Sequence, residues 1–377
     1  GSAASAGTTL AARGSVALPL SCLLRRHPPP QRGEGPLAAG ILMALAPLLI
    51  VPLAALLSAG LILLLKPVLQ RYALARPNAR SSHRVPTPQG GGIAIVAAAL
   101  LTVAVLATPT GIALGGLELP VVALSVIALA VVGAVDDIRP LPASLRLVIQ
   151  AGAVAAVVIA AEGRLFPGVP LGLERAFAIL AGLWFVNLVN FMDGLDWMTV
   201  AEFVPPLAFL FALGLTGRYA PEPTLVAGAL LGGLLGFAPF NRPVARLFMG
   251  DVGSLPLGLI VAWLLFRLAG EGGLAAALIL PLYPLADATL TLLWRLRRGE
   301  AVWQAHRSHY YQVATVHGFS VPEVVGSVFA VQAALAALAG ATLLWPQPAV
   351  TLGSLALAAG LVGWLLRRFA TPRRVGG

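Results

Sequence analysis

Long runs of apolar residues, separated by short connectors, dominate this chain and limit the folds open to it. A helix needs roughly 20 apolar residues to cross the hydrocarbon core of a membrane. We place eleven candidate spans, several of them short, at residues 42–65, 92–108, 120–135, 145–161, 176–190, 199–215, 224–239, 253–268, 273–294, 321–344 and 349–366. The pattern predicts an all-α integral membrane protein, polytopic, with about 11 transmembrane helices in a range of roughly 10–12.

The composition of the chain supports this prediction. Hydrophobic residues make up 58% of the 377 residues and charged residues 11%, less than half of the roughly 25% usual in soluble domains. A soluble protein of this length needs a more polar surface, so an ordinary cytosolic enzyme, a disordered chain and a fibrous protein are excluded. The single cysteine, Cys22, excludes an internal disulfide.

The first 40 residues differ from the rest. They are rich in Ser, Gly, Pro and Arg, and their apolar stretch at 16–24 is too short to span a bilayer. We therefore expect an N-terminal tail over residues 1–40, dispensable or a by-product of expression, and a single polytopic membrane domain over 41–377. Met43, which lies in the first long apolar run, is the expected natural start.

Positive charge is distributed unevenly between the connectors. Cytoplasmic loops of membrane proteins carry an excess of Lys and Arg. When the loops are numbered alternately, one set with its helix edges holds 17 Lys and Arg residues and the other holds four. The richer set comprises residues 66–91, 136–144, 191–198, 240–252, 295–320 and the tail after 366. This asymmetry predicts a cytoplasmic C-terminus and an N-terminus outside.

Five polar clusters interrupt the apolar sequence, and all lie in or beside loops of the richer set. They are residues 81–88, 136–137, 187–196, 241–254 and 306–309. The acidic residues played no part in the assignment of sides, so this agreement is an independent observation. We expect a functional site where the membrane meets the cytoplasm.

Two of these clusters place carboxylates at a helix end. Asp136 and Asp137 oppose the helix dipole and repel each other, which favours a cation or base chemistry beside them; the alternative is a solvated turn before Pro140. Asp251 lies among glycines just before a span, where backbone can approach a ligand and a carboxylate suits a hard cation bridging to phosphate. The alternative for Asp251 is an ordinary helix N-cap.

Two further clusters suggest ligand contacts. Asn187, Asn190, Asp193 and Asp196 recur at a three-residue spacing, which forms one polar ridge on a helix and favours a water-filled cleft; hydrogen bonds between helices are the alternative. His306, Arg307 and His309 lie in a basic loop that favours phosphate binding, with contact to lipid headgroups as the alternative.

Carboxylates that can hold Mg²⁺, together with basic residues at a membrane surface, indicate metal-assisted phosphoryl transfer involving a lipid. A transporter of an anionic solute is a distant alternative. Transporters place their sites near the bilayer midplane and often contain inverted repeats, whereas here the clusters lie at one face and no repeat is visible.

Four strings in order resemble the polyprenyl-phosphate N-acetylhexosamine-1-phosphate transferases (glycosyl transferase family 4). This family includes the O-antigen-initiating GlcNAc-1-phosphate transferase and the phospho-N-acetylmuramoyl-pentapeptide translocase. The strings are SHRVPTPQGGG at 82–92, the aspartate pair at 136–137, NLVNFMDGLD at 187–196 and FMGDVGS at 248–254.

The resemblance implies a reaction. A cytoplasmic UDP-N-acetylhexosamine would give its sugar-1-phosphate to undecaprenyl phosphate, releasing UMP, to initiate O-antigen or a related surface glycan. The alternative within the family is the pentapeptide transferase of peptidoglycan synthesis. The implied cofactor is Mg²⁺, with Mn²⁺ as a substitute, and the implied location is the bacterial inner membrane. Membrane lipids and a second copy are expected partners, and nucleic acid is not.

Residue roles carried over from the resemblance follow the matching strings. Asp251 would be the principal Mg²⁺ ligand, and Asp136 the base on the lipid phosphate with Asp137 beside it; direct attack and an aspartyl intermediate both stay open. Phe248 would stack on uracil. The nucleotide and pyrophosphate site would also be lined by Asn187, Asn190, Asp193, Asp196, Asn241 and Arg84. Phosphate and sugar would be bound by His306, Arg307 and His309.

Two departures from the family pattern bear on specificity. The loop at 306–312 reads HRSHYYQ, which resembles members that initiate surface glycans more than the His-His-His loop of the peptidoglycan translocase. Where relatives often show DGxDGLA, this chain has Trp197 after Asp196. We expect Trp197 to alter the geometry of that loop and the sugar pocket.

Overall fold

The computed structural model describes residues 35–75, 86–110, 112, 116–161, 163–301 and 306–373, with side chains from residue 46 onward. Helices make up most of this part of the chain. In order they are α1 Gly35–Tyr72, α2 Gly92–Leu106, α3 Glu118–Ile138, α4 Ala143–Ala160, α5 Leu171–Met192, α6 Met198–Leu215, α7 Pro221–Asn241, α8 Asp251–Leu268, α9 Leu274–Ile279, α10 Leu282–Arg297, α11 Tyr310–Val316, α12 Val321–Leu344 and α13 Pro348–Ala370. The predicted tail lies outside the described residues, except that 35–40 belong to α1.

Nine helical stretches in the described ranges are long and apolar enough to cross a membrane. They are Ala46–Tyr72 within α1, then α3, α4, α5, α6, α7, α12, α13 and the continuous stretch Asp251–Ile279, which joins α8 to α9. The chain is therefore an all-α, multi-pass membrane protein, as predicted. The count of eleven is not confirmed, because the predicted second span is a helix of only 15 residues, α2.

The predicted ninth span, 273–294, is not one helix. A π-helical segment, Ala269–Gly273, follows α8, and Gly272 within it has a φ of 91°. Further on, α9 ends at Ile279 and α10 begins at Leu282, with Pro281 between them. Proline has no N–H to donate and its ring clashes with the preceding turn, so the apolar run is divided there.

The α8 helix lies at the centre of the bundle, where 15 of its 18 residues are buried. Close approach to its neighbours depends on glycine. A Cβ on Gly133 of α3 would overlap the backbone of Asp251, and one on Gly92 of α2 would overlap Gly253. Small residues let helix backbones pack closely in membranes, where van der Waals contact replaces the hydrophobic driving force.

The helix ends that carry polar residues meet at one end of the bundle, which we call the polar end. The Gly92 N–H donates to the Met249 carbonyl at 2.9 Å, and the Asp251 N–H donates to Asp137 at 3.0 Å. Between α1 and α2, the strands β1 Leu74–Ala75 and β2 Thr87–Pro88 pair antiparallel beside them. The bundle thus gathers helix ends that are distant in sequence.

Candidate active site

Three carboxylates from two helices form the centre of the polar end. Asp136 and Asp137 lie in the last turn of α3, and Asp251 is the first residue of α8. The Arg146 guanidinium of α4 lies between two of them, with Nη1 at 2.5 Å from Asp136 Oδ2 and 3.4 Å from Asp251 Oδ2. All three side chains keep some exposure, 32% for Arg146, 11% for Asp136 and 25% for Asp251. The cation therefore joins the two acids at a surface that a ligand can reach.

Asp137 has a different environment from its neighbour. Its Oδ1 accepts the Asp251 N–H at 3.0 Å and its Oδ2 accepts the Val252 N–H at 3.2 Å. A carboxylate at a helix N-terminus satisfies free N–H groups and complements the helix dipole. Asp137 thus caps α8 from another helix, and Asp251 is not the N-cap that the alternative interpretation required, because Gly250 holds that position without a side-chain bond.

Asp136 accepts hydrogen bonds on both oxygens. The Leu141 N–H donates to Oδ1 at 2.6 Å, and Arg146 donates to Oδ2. The solvated turn considered for this aspartate pair is therefore wrong, since both residues are tied to protein donors. Of the two aspartates, only Asp136 is paired with a flexible side chain, that of Arg146. A ligand phosphate can bind Arg146 in place of Asp136.

Asn190 lies where the sequence predicted a ligand contact. Its Nδ2 donates to Asp251 Oδ1 at 2.8 Å and to Ser254 Oγ at 2.9 Å. One turn earlier, Asn187 Nδ2 donates to Gln150 Oε1 of α4 at 2.8 Å. That contact matches the alternative of a hydrogen bond between helices, and the predicted role of Asn187 in nucleotide binding stays a prediction.

Asp193 follows α5 and faces the same region. Thr199 Oγ donates to its Oδ1 at 2.5 Å. The pKa of Asp193 is raised to about 6, chiefly by burial; the Thr199 hydrogen bond lowers it, and the charges of Asp137 and Asp196 add to the rise. The carboxyl therefore changes its charge close to neutral pH.

Asn241 and Asp196 join two loops. The Trp197 N–H donates to Asn241 Oδ1 at 2.8 Å, and Asn241 Nδ2 donates to the Leu247 carbonyl at 3.0 Å. Asp196 Oδ2 accepts the Ala245 N–H at 2.9 Å. Asn241 is buried, so its observed contacts hold the loops together, and its predicted contact with the nucleotide stays a prediction.

Trp197 has the left-handed backbone conformation, with a φ of 64°. It is the only non-glycine residue with positive φ in the described part of the chain, at the position where relatives often carry glycine. Its indole N–H donates to the Ala238 carbonyl at 2.6 Å. L-residues other than Asn and Asp rarely adopt this conformation. The expectation that Trp197 alters the loop stays a prediction.

The first motif and the fourth lie side by side. The Phe248 N–H donates to the Pro88 carbonyl at 2.8 Å, and the Gly91 N–H donates to the Phe248 carbonyl at 2.9 Å. Gln89 Nε2 also donates to the Asp137 carbonyl at 2.8 Å. Arg84 lies outside the described residues, so neither its predicted contact nor the predicted stacking of Phe248 on uracil is tested.

Asp287 of α10 holds the histidine loop. This fully buried carboxylate accepts the N–H groups of Tyr310 at 3.0 Å and Tyr311 at 3.2 Å, and it lies 3.3 Å from His309 Nδ1. Arg295 Nε, in the same helix, donates to Glu300 at 2.9 Å, and Asp287 is bonded to the loop.

The histidine loop reaches the end of α5. The Tyr311 hydroxyl donates to the Phe191 carbonyl at 3.0 Å, and the ring of His309 stacks on that of Phe191 at 6.3 Å. The His306 and His309 rings are 4.8 Å apart. Burial lowers the pKa of His306 to about 4, with the positive charges of His309 and Arg295 adding to the effect. At neutral pH, His306 is therefore an uncharged donor, and Arg307 supplies permanent positive charge to this loop.

Sequence reasoning missed two residues at or near this site. Arg146 has no predicted role, although a cation in the first turn of a helix opposes the helix dipole and is a signal of function. Glu202 of α6 is fully buried, and neither of its carboxylate oxygens has a hydrogen-bond partner in the described part of the protein. Its position inside an apolar span was the available signal.

The donor set fits a Mg²⁺ ion shared with a substrate. Among the described residues, no three His, Cys, Asp or Glu side chains come together as a complete metal cage. Mg²⁺ usually takes one or two protein carboxylates and completes its shell with phosphate oxygens and water. Asp251 supplies a hard oxygen ligand at the surface, and the Arg146 guanidinium between Asp251 and Asp136 indicates that this position stabilises a positive charge.

Comparisons with known proteins match the part of the chain that carries this site. A family model described as glycosyl transferase family 4 matches residues 119–269, which contain the aspartate pair, Asn190, Asp193 and Asp251. Relatives include a decaprenyl-phosphate N-acetylglucosaminephosphotransferase of Mycobacterium leprae, 28% identical over 67% of this chain and 72% of that protein. A probable undecaprenyl-phosphate N-acetylglucosaminyl 1-phosphate transferase of Bacillus subtilis is 25% identical over 72% and 81%. A phospho-N-acetylmuramoyl-pentapeptide-transferase of a Synechococcus strain is 31% identical over 83% of this chain and 98% of that protein.

Proposed function

We propose, because the chain belongs to glycosyl transferase family 4, that it transfers N-acetylhexosamine-1-phosphate from a UDP-sugar to undecaprenyl phosphate or another polyprenyl phosphate. The observation that carries the proposal is the pair of reachable carboxylates, Asp136 and Asp251, joined by Arg146 at one end of an apolar helical bundle. A lipid phosphate and a water-soluble donor can meet only at such a boundary. The names of the mycobacterial and Bacillus relatives describe the same chemistry.

The reaction forms one bond and breaks one bond at phosphorus. An oxygen of the lipid phosphate attacks the β-phosphorus of the donor, the bond from that phosphorus to the bridging oxygen breaks, and UMP leaves. Asp136 is suited to take the proton from the lipid phosphate, because its partner Arg146 can turn to the phosphate instead. Asp137 is unsuited, since both of its oxygens are engaged by the N–H groups of α8.

The charges around the site also support phosphoryl transfer. Phosphoryl transfer depends mainly on positioning and on stabilising charge at the phosphate oxygens. When bound, Mg²⁺ would supply part of that charge, and Asp251 would hold it. Asn190 orients Asp251 by its hydrogen bond, and Arg146 and Arg307 bring further positive charge to the phosphates.

We infer that the polar end faces the cytoplasm of a bacterium, with the C-terminus inside and the N-terminus outside. The ratio of 17 to four Lys and Arg residues supports this orientation. UDP-sugars are cytoplasmic donors, which requires the same side. In this arrangement α2 crosses as a short helix and α9 with α10 form one divided crossing, which would give eleven crossings.

A second candidate is the pentapeptide transferase of peptidoglycan synthesis. One observation favours it: the Synechococcus relative with that name is 31% identical and is matched over 98% of its length. The loop at 306–309 reads HRSH instead of three successive histidines, which favours the reaction that initiates a surface glycan over that of peptidoglycan synthesis. The initiation of O-antigen or a related surface glycan is therefore the proposed role.

The test is UMP release by the purified protein with undecaprenyl phosphate, Mg²⁺ and either UDP-N-acetylhexosamines or UDP-N-acetylmuramoyl-pentapeptide. We expect turnover with a UDP-N-acetylhexosamine, and none in EDTA. Asp251→Asn should lower turnover at least ~100-fold, because several kcal/mol of charge stabilisation are lost. Glu222→Gln, at the start of α7, is the matched control and should retain activity. Turnover with UDP-N-acetylmuramoyl-pentapeptide but not with UDP-N-acetylhexosamines would support the second candidate. Full activity of Asp251→Asn would refute the metal assignment.

A further inference from the structure

A groove between α12 and α13 lies apart from the candidate active site. Gly326, Ala330 and Ala334 form its α12 side, and Leu361 and Trp364 form its α13 side. Its volume is about 510 Å³, within the range of ligand-binding pockets. A Cβ added at Gly326 would meet no atom within 4 Å, so the floor of the groove is open.

The groove continues into a basic mouth. A second cavity of about 500 Å³ shares Trp364 and Arg368 with the first, and Phe319, Arg367 and Arg373 also line it. The mouth lies beside the polar end, because His317 Nδ1 contacts the Phe369 carbonyl at 2.9 Å and α11 connects His317 to the histidine loop. The groove therefore runs from the membrane surface toward the apolar interior of the bilayer.

Two of the three arginines of the mouth, Arg368 and Arg373, lie over aromatic rings. The Arg368 guanidinium carbon is 5.4 Å from the Phe319 ring centre and 5.6 Å from that of Trp364. The guanidinium carbon of Arg373 lies 4.3 Å from the Phe319 ring centre. Ring faces attract a cation and hold its position but leave its positive charge in place. The guanidinium groups are therefore oriented and still able to bind an anion.

Positive charge exceeds negative charge in the mouth. Arg373 pairs with Glu323 at 2.9 Å. In the described ranges, no carboxylate lies within ion-pair distance of Arg367 or Arg368. Besides its ring contacts, the Arg368 guanidinium donates a hydrogen bond to the Ser327 hydroxyl at 3.5 Å. Two arginines at the membrane surface thus have charge to offer to a ligand.

We propose that the α12–α13 groove is a binding site for an anionic phospholipid. The phosphate would lie at Arg367 and Arg368, and an acyl chain would lie along the apolar groove beside Trp364. Basic pockets between helices on the cytoplasmic side are suited to anionic headgroups, and tryptophan is favoured at the depth of the headgroups. A zwitterionic lipid cancels its own phosphate charge and binds more weakly.

The test measures phospholipids bound to the purified full chain by native mass spectrometry, with phosphatidylglycerol and phosphatidylcholine supplied separately. In Arg367→Gln/Arg368→Gln we expect at least about tenfold weaker binding of phosphatidylglycerol, because each arginine near the membrane surface contributes to the attraction. Binding of phosphatidylcholine should change by less than about twofold. Thermal unfolding in detergent checks that the variant is folded.

Two matched controls separate this site from general attraction to a basic surface. Arg297→Gln/Arg298→Gln removes two arginines at the end of α10, one of which also stacks on an aromatic ring, Trp294, at 4.4 Å. Gly353→Leu adds a side chain at an open position of α13 outside the groove. Both variants should bind phosphatidylglycerol like the unchanged protein.

Gly326→Leu fills the groove without removing charge and should weaken phosphatidylglycerol binding by at least about tenfold. An equal loss in both arginine double variants would overturn the proposal, since it would indicate attraction to any basic surface. Unchanged binding in Gly326→Leu, or equal binding of the two lipids by the unchanged protein, would overturn it as well.

Discussion

Adjacent aspartates take different positions because successive residues of a helix point about 100° apart. Asp136 faces Arg146 of α4, whereas Asp137 faces the first N–H groups of α8. The pair therefore combines one reachable acid with one that holds Asp251 in place. A single residue type serves two physical purposes at neighbouring positions.

Replacement of Asp137 tests its role as a cap. Asp137→Asn keeps one acceptor oxygen but loses the second and the negative charge, so we expect about 1–3 kcal/mol lower stability together with lower activity. Asp136→Asn should lose activity with little loss of stability. Thermal unfolding in detergent and UMP release distinguish the two variants. A fully stable Asp137→Asn would contradict the capping role.

The ionisation of Asp193 predicts a pH dependence of stability. Its pKa is about 6 in the folded protein, against an ordinary 3.8. Between about pH 4 and pH 6 the folded chain holds a proton that the unfolded chain has released, so this residue makes the free energy of unfolding fall as pH rises. Asp193→Asn should remove that contribution. The melting temperature of the variant, relative to that of the unchanged protein, should therefore increase as the pH is raised toward 6.5.

His306 acts with the opposite sign and provides the control. Its folded pKa is about 4, below the ordinary 6.5, so between these values the unfolded chain binds more protons and stability rises with pH. His306→Gln should remove this rise. Melting temperatures from pH 4.5 to 7 would measure both contributions, and parallel curves for the three proteins would show that folding shifts neither pKa.

At the scale of elements, the site depends on how closely α3 approaches α8. Gly133 lies one turn before the aspartate pair, and its missing side chain lets the α3 backbone touch that of Asp251. Helix contacts of this kind cannot adjust gradually, because interiors are close-packed. The positions of the carboxylates are therefore set by a glycine that carries no chemistry.

The Gly133→Ala variant should separate α3 from α8 and misplace Asp251. We expect lower stability by about 1–3 kcal/mol, as in overpacked cores, and reduced UMP release. The matched control is Gly152→Ala in α4, where a Cβ meets no atom within 4 Å. This control should be neutral or slightly more stable, because alanine is the better helix former. Equal behaviour of the two variants would contradict the packing argument.

At the scale of the whole molecule, charge asymmetry and the polar end imply one orientation. Arg218 lies in the short connector between α6 and α7, at the end of those helices opposite Trp197 and Asn241. Arg298 follows α10, near the histidine loop. The two residues should lie on opposite sides of the membrane.

Reporter fusions can test this orientation. An alkaline phosphatase fused after Arg218 should be active, because it folds outside the cytoplasm, and one fused after Arg298 should be inactive. A fluorescent protein that folds only in the cytoplasm should give the reverse pattern. Activity of the same reporter at both positions would overturn the topology.

Local composition was enough to predict the class of this protein and the stretches that carry its polar residues. Transfer of apolar residues into a membrane depends on local composition, so the spans follow from the sequence except at short α2 and around Pro281. The alternation of loops also predicted that the polar clusters would lie together, and the motifs identified the family before any geometry was known.

Which side chains meet is known only from the folded structure. It showed Arg146 between Asp136 and Asp251, Asp137 as the cap of α8, and Asp287 under the histidine loop, with contacts that join residues up to 115 positions apart. The spans are apolar on nearly every side, so no amphipathic stripe marks which face of a helix turns inward. The close packing of α2, α3, α7 and α8 depends on glycines that touch neighbouring backbone, and that contact exists only in the assembled bundle.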